Sequence, residues 1–102
     1  PAAGNAVSER PVTPAEYALA QNYPNPFNPT TTIQYALARP GHVSLILYDV
    51  LGREVRRIVD AFQPAATYSV QIDATELDSG VYFYKLQVGD EFTSMKKMIL
   101  MK

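Results

Sequence analysis

Ala66-Thr67-Tyr68-Ser69-Val70-Gln71-Ile72 sets an apolar side chain at every second position with a polar one between. That is the period of a half-buried β-strand, not the 3.6 of a helix. The rhythm returns downstream, where Tyr82, Tyr84, Leu86 and Val88 alternate against Lys85 and Gln87, and upstream, where Thr31, Ile33, Tyr35 and Leu37 alternate with Thr32, Gln34 and Ala36. Between His42 and Tyr48 both faces are apolar: Val43, Leu45 and Leu47 share one, Ile46 and Tyr48 the other. A strand of that kind wants cover on both sides and belongs in the middle of a sheet. A short first strand is expected at Tyr17 to Ala20. After the turn Asp49-Val50-Leu51-Gly52, where Asp49 can bond its own backbone and Gly52 can take positive φ, a return strand is expected over Glu54 to Val59. A Gly89-Asp90 turn leads to a last strand over Glu91 to Met101. Seven short strands without a helical stretch predict an all-β fold, two antiparallel sheets packed as an immunoglobulin-like sandwich, with a small open barrel as the alternative.

The chain has 102 residues, nine Lys plus Arg against ten Asp plus Glu, and no Cys. This length fits one domain. A net charge of −1 supplies no broad positive field, which argues against a nucleic-acid partner. The lack of Cys excludes disulfide frameworks and Cys-zinc sites. No apolar run approaches the ~18 residues that a helical membrane span requires. Residues 1–16 (PAAGNAVSERPVTPAE) carry too little apolar mass to fold and read as a linker, leaving 17–102 as the domain. The sequence starts at Pro1 with no Met and no basic-then-apolar leader, so it is expected to be processed or cut from a larger polypeptide.

Residues that bear chemistry are sparse. His42 is the sole histidine and stands near Ser44, but nothing in the sequence sets a carboxylate beside it, so a surface histidine is expected rather than a catalytic one. Asp73, Glu76 and Asp78 share a loop with Thr75 and Ser79, a weak candidate set for a hard cation such as Ca²⁺. Their spacing matches no EF-hand, and Asx-turns explain it equally well. Arg53, Arg56 and Arg57 offer contacts to an anionic glycan or lipid head group, although a charged, solvated sheet edge accounts for them more simply. The tyrosines suggest a sugar-stacking platform, yet Tyr35, Tyr68, Tyr82 and Tyr84 fall on the inward faces. The residues therefore call for no catalytic group and no cofactor.

Two stretches resist this plain reading. In Tyr23-Pro24-Asn25-Pro26-Phe27-Asn28-Pro29 three prolines fix φ and remove three backbone donors, which makes a stiff connector holding Phe27 as a plug against one end of the sandwich. Near the other terminus, alternation runs from Phe92 to Met95, is interrupted by Lys96-Lys97, and gives way to Met98-Ile99-Leu100-Met101-Lys102. The two lysines predict a bulge or a change of sheet. The apolar run after them either completes the core or forms an edge strand that another protein reads by strand addition.

Four blocks, in this order, resemble the C-terminal sorting domain, type A, of proteins exported by the type IX secretion system. They are Leu19 to Pro29 followed by Thr32-Ile33-Gln34-Tyr35, then Leu47 to Val55, Ser79 to Leu86, and Lys97 to Lys102. The resemblance covers about residues 17–102. It implies a non-catalytic module at the end of an exported protein whose upstream domain, often a hydrolase or adhesin, is the cargo. A Sec-type leader would carry the parent to the periplasm, and the secretion machinery would pass it through the outer membrane. A sortase-like peptidase would then cut within residues 1–16 and join the cargo to lipopolysaccharide at the cell surface. Carried over by position, the sorting signal is Gly80, Val81 and Tyr82 with Lys97, Met98, Ile99, Leu100, Met101 and Lys102. Where members usually have Ala-Gly this chain has Ala65-Ala66, and where they often have Trp or Phe it has Ile72. Removing Met98 to Lys102 is expected to block export and leave most of the sandwich folded. The rival from another class is an accessory module that binds carbohydrate or the cell surface for a secreted hydrolase.

Overall fold

The structure, a computed structural model, describes residues 13–102. The first twelve of the sixteen positions expected as linker lie outside the described residues. Seven strands follow: β1 (Ala18–Leu19), β2 (Thr30–Ala36), β3 (Gly41–Tyr48), β4 (Glu54–Gln63), β5 (Thr67–Asp73), β6 (Gly80–Val88) and β7 (Phe92–Leu100). They form two sheets in the orders β1-β2-β5 and β4-β3-β6-β7, with every neighbouring pair antiparallel. No helix occurs among the described residues. This is the all-β sandwich that period-2 alternation predicts. Tyr82, at the start of β6, donates from its hydroxyl to the Asp78 carbonyl at 2.7 Å, the tyrosine corner of immunoglobulin-type sandwiches.

Alternation decides which side chains meet. Ile33 and Tyr35 of β2, Val43, Leu45 and Leu47 of β3, Tyr84, Leu86 and Val88 of β6, and Met98 and Leu100 of β7 are buried in one cluster between the sheets. Strand β3 is central, and Ile46 on its outer face is also buried, so the expectation of cover on both sides holds at that residue. Gly52 takes φ +80° in the β3–β4 turn, a conformation that a Cβ would strain. Asp49 accepts the Leu51 N–H at 2.9 Å and the Arg53 N–H at 3.0 Å, closing that turn.

Three local expectations need correction. No bulge interrupts β7: its pairing with β6 runs unbroken from Val88↔Phe92 to Gly80↔Leu100. Lys96 keeps the inward parity and stays half-buried at the rim, where a long alkyl stem can lie on apolar surface while the ammonium reaches water. The irregularities fall instead between β3 and β4, at Leu45/Ile46 and Leu47/Tyr48, and β4 runs on to Gln63 rather than stopping at Val59. Third, Met98 is 0% and Leu100 1% exposed, so removing Met98 to Lys102 would excise two core side chains and would not leave the sandwich intact.

The order of the strands gives the molecule two ends. Residues 13–17 run in at the end that also holds the β2–β3, β4–β5 and β6–β7 connections; this is the proximal pole. The loop 20–29, the β3–β4 turn, the loop 74–79 and the last residues of the chain gather at the opposite end, the distal pole.

Candidate functional site

Phe27 is 2% exposed and packs into the core at the distal pole. Its backbone also extends the larger sheet. The Phe27 N–H donates to the Ile99 carbonyl at 2.9 Å, and the Met101 N–H donates to the Phe27 carbonyl at 2.9 Å, a parallel bridge centred on Leu100. Asn25 Oδ1 accepts the Ile99 N–H at 2.9 Å, and Gln21 Nε2 donates to the Lys97 carbonyl at 2.7 Å. Thus the outward-facing backbone of β7 beyond Lys97 is sealed by the proline-rich loop. Pro24-Asn25-Pro26-Phe27-Asn28-Pro29 is accordingly a clamp on the last strand, and all three of its X-Pro bonds are cis.

Because prolines offer no N–H, side-chain amides and hydroxyls add to the few backbone bonds that the loop makes through Tyr23 and Phe27. Buried Asn22 donates from Nδ2 to the Pro24 carbonyl at 3.1 Å and to Thr31 Oγ1 at 3.0 Å, and accepts from Gln21 Nε2 at 2.7 Å. Thr31 in turn donates to the Pro24 carbonyl at 2.9 Å. The Tyr84 hydroxyl accepts the Asn22 N–H and donates to the Ala20 carbonyl, both at 2.8 Å. Burial pushes this phenol up to about 12, so it remains a donor throughout the neutral range. Sequence reasoning singled out the prolines and Phe27 but missed Gln21, Asn22, Thr31 and Tyr84 as anchors. The available cue was the amides and hydroxyl flanking a run stripped of donors.

The two halves of the expected sorting signal are cross-strand partners. Gly80, Val81 and Tyr82 pair with Leu100, Ile99 and Met98, and Lys97 pairs with Phe83. Met98 and Leu100 point into the core, Ile99 is half-buried, and Lys97, Met101 and Lys102 are exposed. Lys102 bonds across the pole: its N–H donates to Ser79 Oγ at 3.0 Å and its ammonium to the Thr75 carbonyl. Exposed apolar side chains collect at the same end, with Tyr23 81%, Val50 65%, Leu51 73% and Met101 58% exposed. Clustered exposure of this kind marks interaction surfaces more often than inert ones.

The remaining candidates are accounted for locally. Asp73 Oδ1 accepts the Thr75 N–H at 3.0 Å and the Thr75 hydroxyl, and these two bonds hold its carboxyl below the usual carboxylate range. Glu76 and Asp78 are exposed on the same loop, and among the described residues no three His, Asp or Glu side chains converge as a metal site would need. Arg53 pairs with Asp49 at 2.8 Å, Arg56 donates to the Asp73 carbonyl at 2.9 Å, and Arg57 pairs with Glu54 at 3.2 Å. The fold brings Asp60 to 2.6 Å from His42 Nε2, a partner that the sequence did not place. Asp60 also takes Arg57 at 3.6 Å, so the histidine belongs to an exposed row of charges on the outer sheet face. Tyr35, Tyr82 and Tyr84 are buried and Tyr68 is half-buried, which leaves Tyr23 and Phe62 as strongly exposed rings at opposite poles rather than one stacking surface.

No curated protein shows a match to the chain. A family model described as the secretion system C-terminal sorting domain matches residues 21–101. Domains of this family are non-catalytic in general, act as sorting signals for the type IX secretion machinery, and imply export to the cell surface or outside. The match spans most of the sequence and takes in every described strand except β1, and the chain therefore belongs to the family of type IX secretion system C-terminal sorting domains.

Proposed function

We propose that residues 17–102 form the sorting module of a larger exported protein, with residues 1–16 as the linker to an upstream cargo that carries any enzymatic activity. The export machinery reads the distal pole, where Gly80, Val81 and Tyr82 lie beside Lys97, Met98, Ile99, Leu100, Met101 and Lys102. The parent reaches the periplasm through a Sec-type leader and crosses the outer membrane. A sortase-like peptidase cuts in the linker and transfers the cargo to lipopolysaccharide on the outer face. One observation carries this reading: four separate sequence blocks converge at the pole opposite the one where residue 13 enters. A folded cargo at the proximal pole would leave that surface free.

The test must separate reading from folding. A fluorescent protein with a Sec leader, fused ahead of residues 13–102 and expressed in a host with the machinery, should be exported. Exchanging the outward pair, Lys97→Glu with Met101→Glu, should cut export at least tenfold with the melting temperature nearly unchanged, because neither side chain is buried. Full export of that variant would count against the distal pole as the surface that is read.

A further inference from the structure

Strand β7 is the edge of the larger sheet; β1 passes beside it, with Tyr17 stacked on Phe92 at one end and Gln21 bonded to Lys97 at the other, and hydrogen bonds seal only its last part. The groups taken up by Gln21, Asn25 and Phe27 are the Lys97 carbonyl, both polar groups of Ile99 and the Met101 N–H, all on odd-numbered residues. In an antiparallel ladder, outward groups belong to alternate residues, and the register with β6 does not shift. The next outward groups are therefore those of Thr93 and Met95 and the Lys97 N–H, and none has a backbone or side-chain partner among the described residues. Beside them on the outer face lies a hollow of about 340 Å³ whose lining includes Tyr48, Asp49, Val50, Phe83, Lys85 and Met95. The cross-strand rows explain it: Tyr48, Phe83 and Lys97 form one, Ile46, Lys85 and Met95 the next.

Three lysines stand unpaired around this stretch, while the nearest acids, Asp49 in the hollow and Glu91 before Phe92, are already held by Arg53 and Arg39. Lys85 Nζ stands 5.9 Å from the centroid of the Tyr48 ring, and the ion pairs among the described residues leave Lys85, Lys96 and Lys97 without a carboxylate. Lysines at an edge ordinarily keep other strands away. A second copy would bring the same three lysines to the contact and be repelled, whereas an acidic strand would be drawn in.

We propose that Thr93 to Lys97 accepts an extended segment of a partner protein as a fifth strand of the larger sheet, with an apolar side chain beside Met95 and acidic ones beside Lys97 and Thr93. This docking edge rests on its own observations and holds whether or not the distal pole is the surface read in export.

The probe is a seven-residue peptide of Thr with Glu, Val and Glu at alternate positions, titrated into the isotope-labelled chain; its control carries Lys for Glu. The amide resonances of Thr93, Met95 and Lys97 should shift, their hydrogen exchange should slow at least tenfold, and the Lys peptide should bind at least tenfold more weakly. Met95→Pro deletes an outward N–H and the side chain beside the hollow but no ladder bond to β6, which an edge strand tolerates, and should abolish binding. Lys85→Glu with Lys97→Glu should reverse the preference between the peptides, and this second variant serves if the proline impairs folding. Equal binding of the two peptides, or shifts confined to β4 or the distal pole, would overturn the proposal. So would a dimer in sedimentation that Met95→Pro dissolves, since the occupant would then be a second copy.

Discussion

The Tyr84 hydroxyl joins the proline-rich loop to the sheet through one accepted and one donated hydrogen bond. Tyr84→Phe leaves the Asn22 N–H and the Ala20 carbonyl without that partner. Unfolding in urea should therefore show a loss of about 1–3 kcal/mol, the usual cost of stranding buried polar groups. The pH dependence carries a separate mark. Tyr84 has an ordinary value of 10.0 and a folded value of about 12, raised first by burial, so the unfolded chain ionises before the folded one does. Its contribution is intact below pH 10 and is lost as pH rises toward 12; the Phe variant should show a shallower decline over that window. Asparagine at 22 and threonine at 31 look like ordinary loop and strand residues in sequence, and only the fold shows them as the buried donors and acceptors that complete this network.

At the scale of elements, the loop 20–29 and β7 are one unit. Phe27 fills the core from the loop while Met98 and Leu100 fill it from the strand, and backbone bonds sew the two together. Phe27→Ala should cost about 3–5 kcal/mol in equilibrium unfolding, since a buried ring is lost and a cavity is left. It should also speed hydrogen exchange at the Ile99 and Met101 amides more than at amides of β2, because the clamp over those two groups loosens with the ring. Uniform acceleration across both sheets would mean that the clamp has no local stability of its own. Most strands were legible because inward and outward positions alternate on a period of two, a purely local signal. The unbroken path of β7 was not, since a half-buried Lys96 at a rim and a bulged lysine give the same letters.

For the whole molecule, the opposed poles set what can be attached where. The Gly89-Asp90 turn lies at the proximal pole, and the turn holding Val50 and Leu51 at the distal one. A flexible ten-residue insertion after Asp90 should leave export of the fused cargo near its unmodified level. The same insertion between Val50 and Leu51 should reduce it severalfold, with both variants melting within a few degrees of the parent. Equal export from the two would show that the poles do not differ in what they present.

The letters of this chain suffice for the strands, the sandwich and the membership of a sorting family, because side-chain alternation and short turn motifs are written in neighbouring residues. What waited for three dimensions was the joining of distant pieces: Asp60 against His42, Tyr84 beneath Asn22, Gly80 to Tyr82 alongside Met98 to Leu100, and a seal over β7 that stops at Lys97. Those contacts link residues separated by as many as 76 positions, and no local pattern encodes a pairing whose partner is chosen by sheet register and loop path.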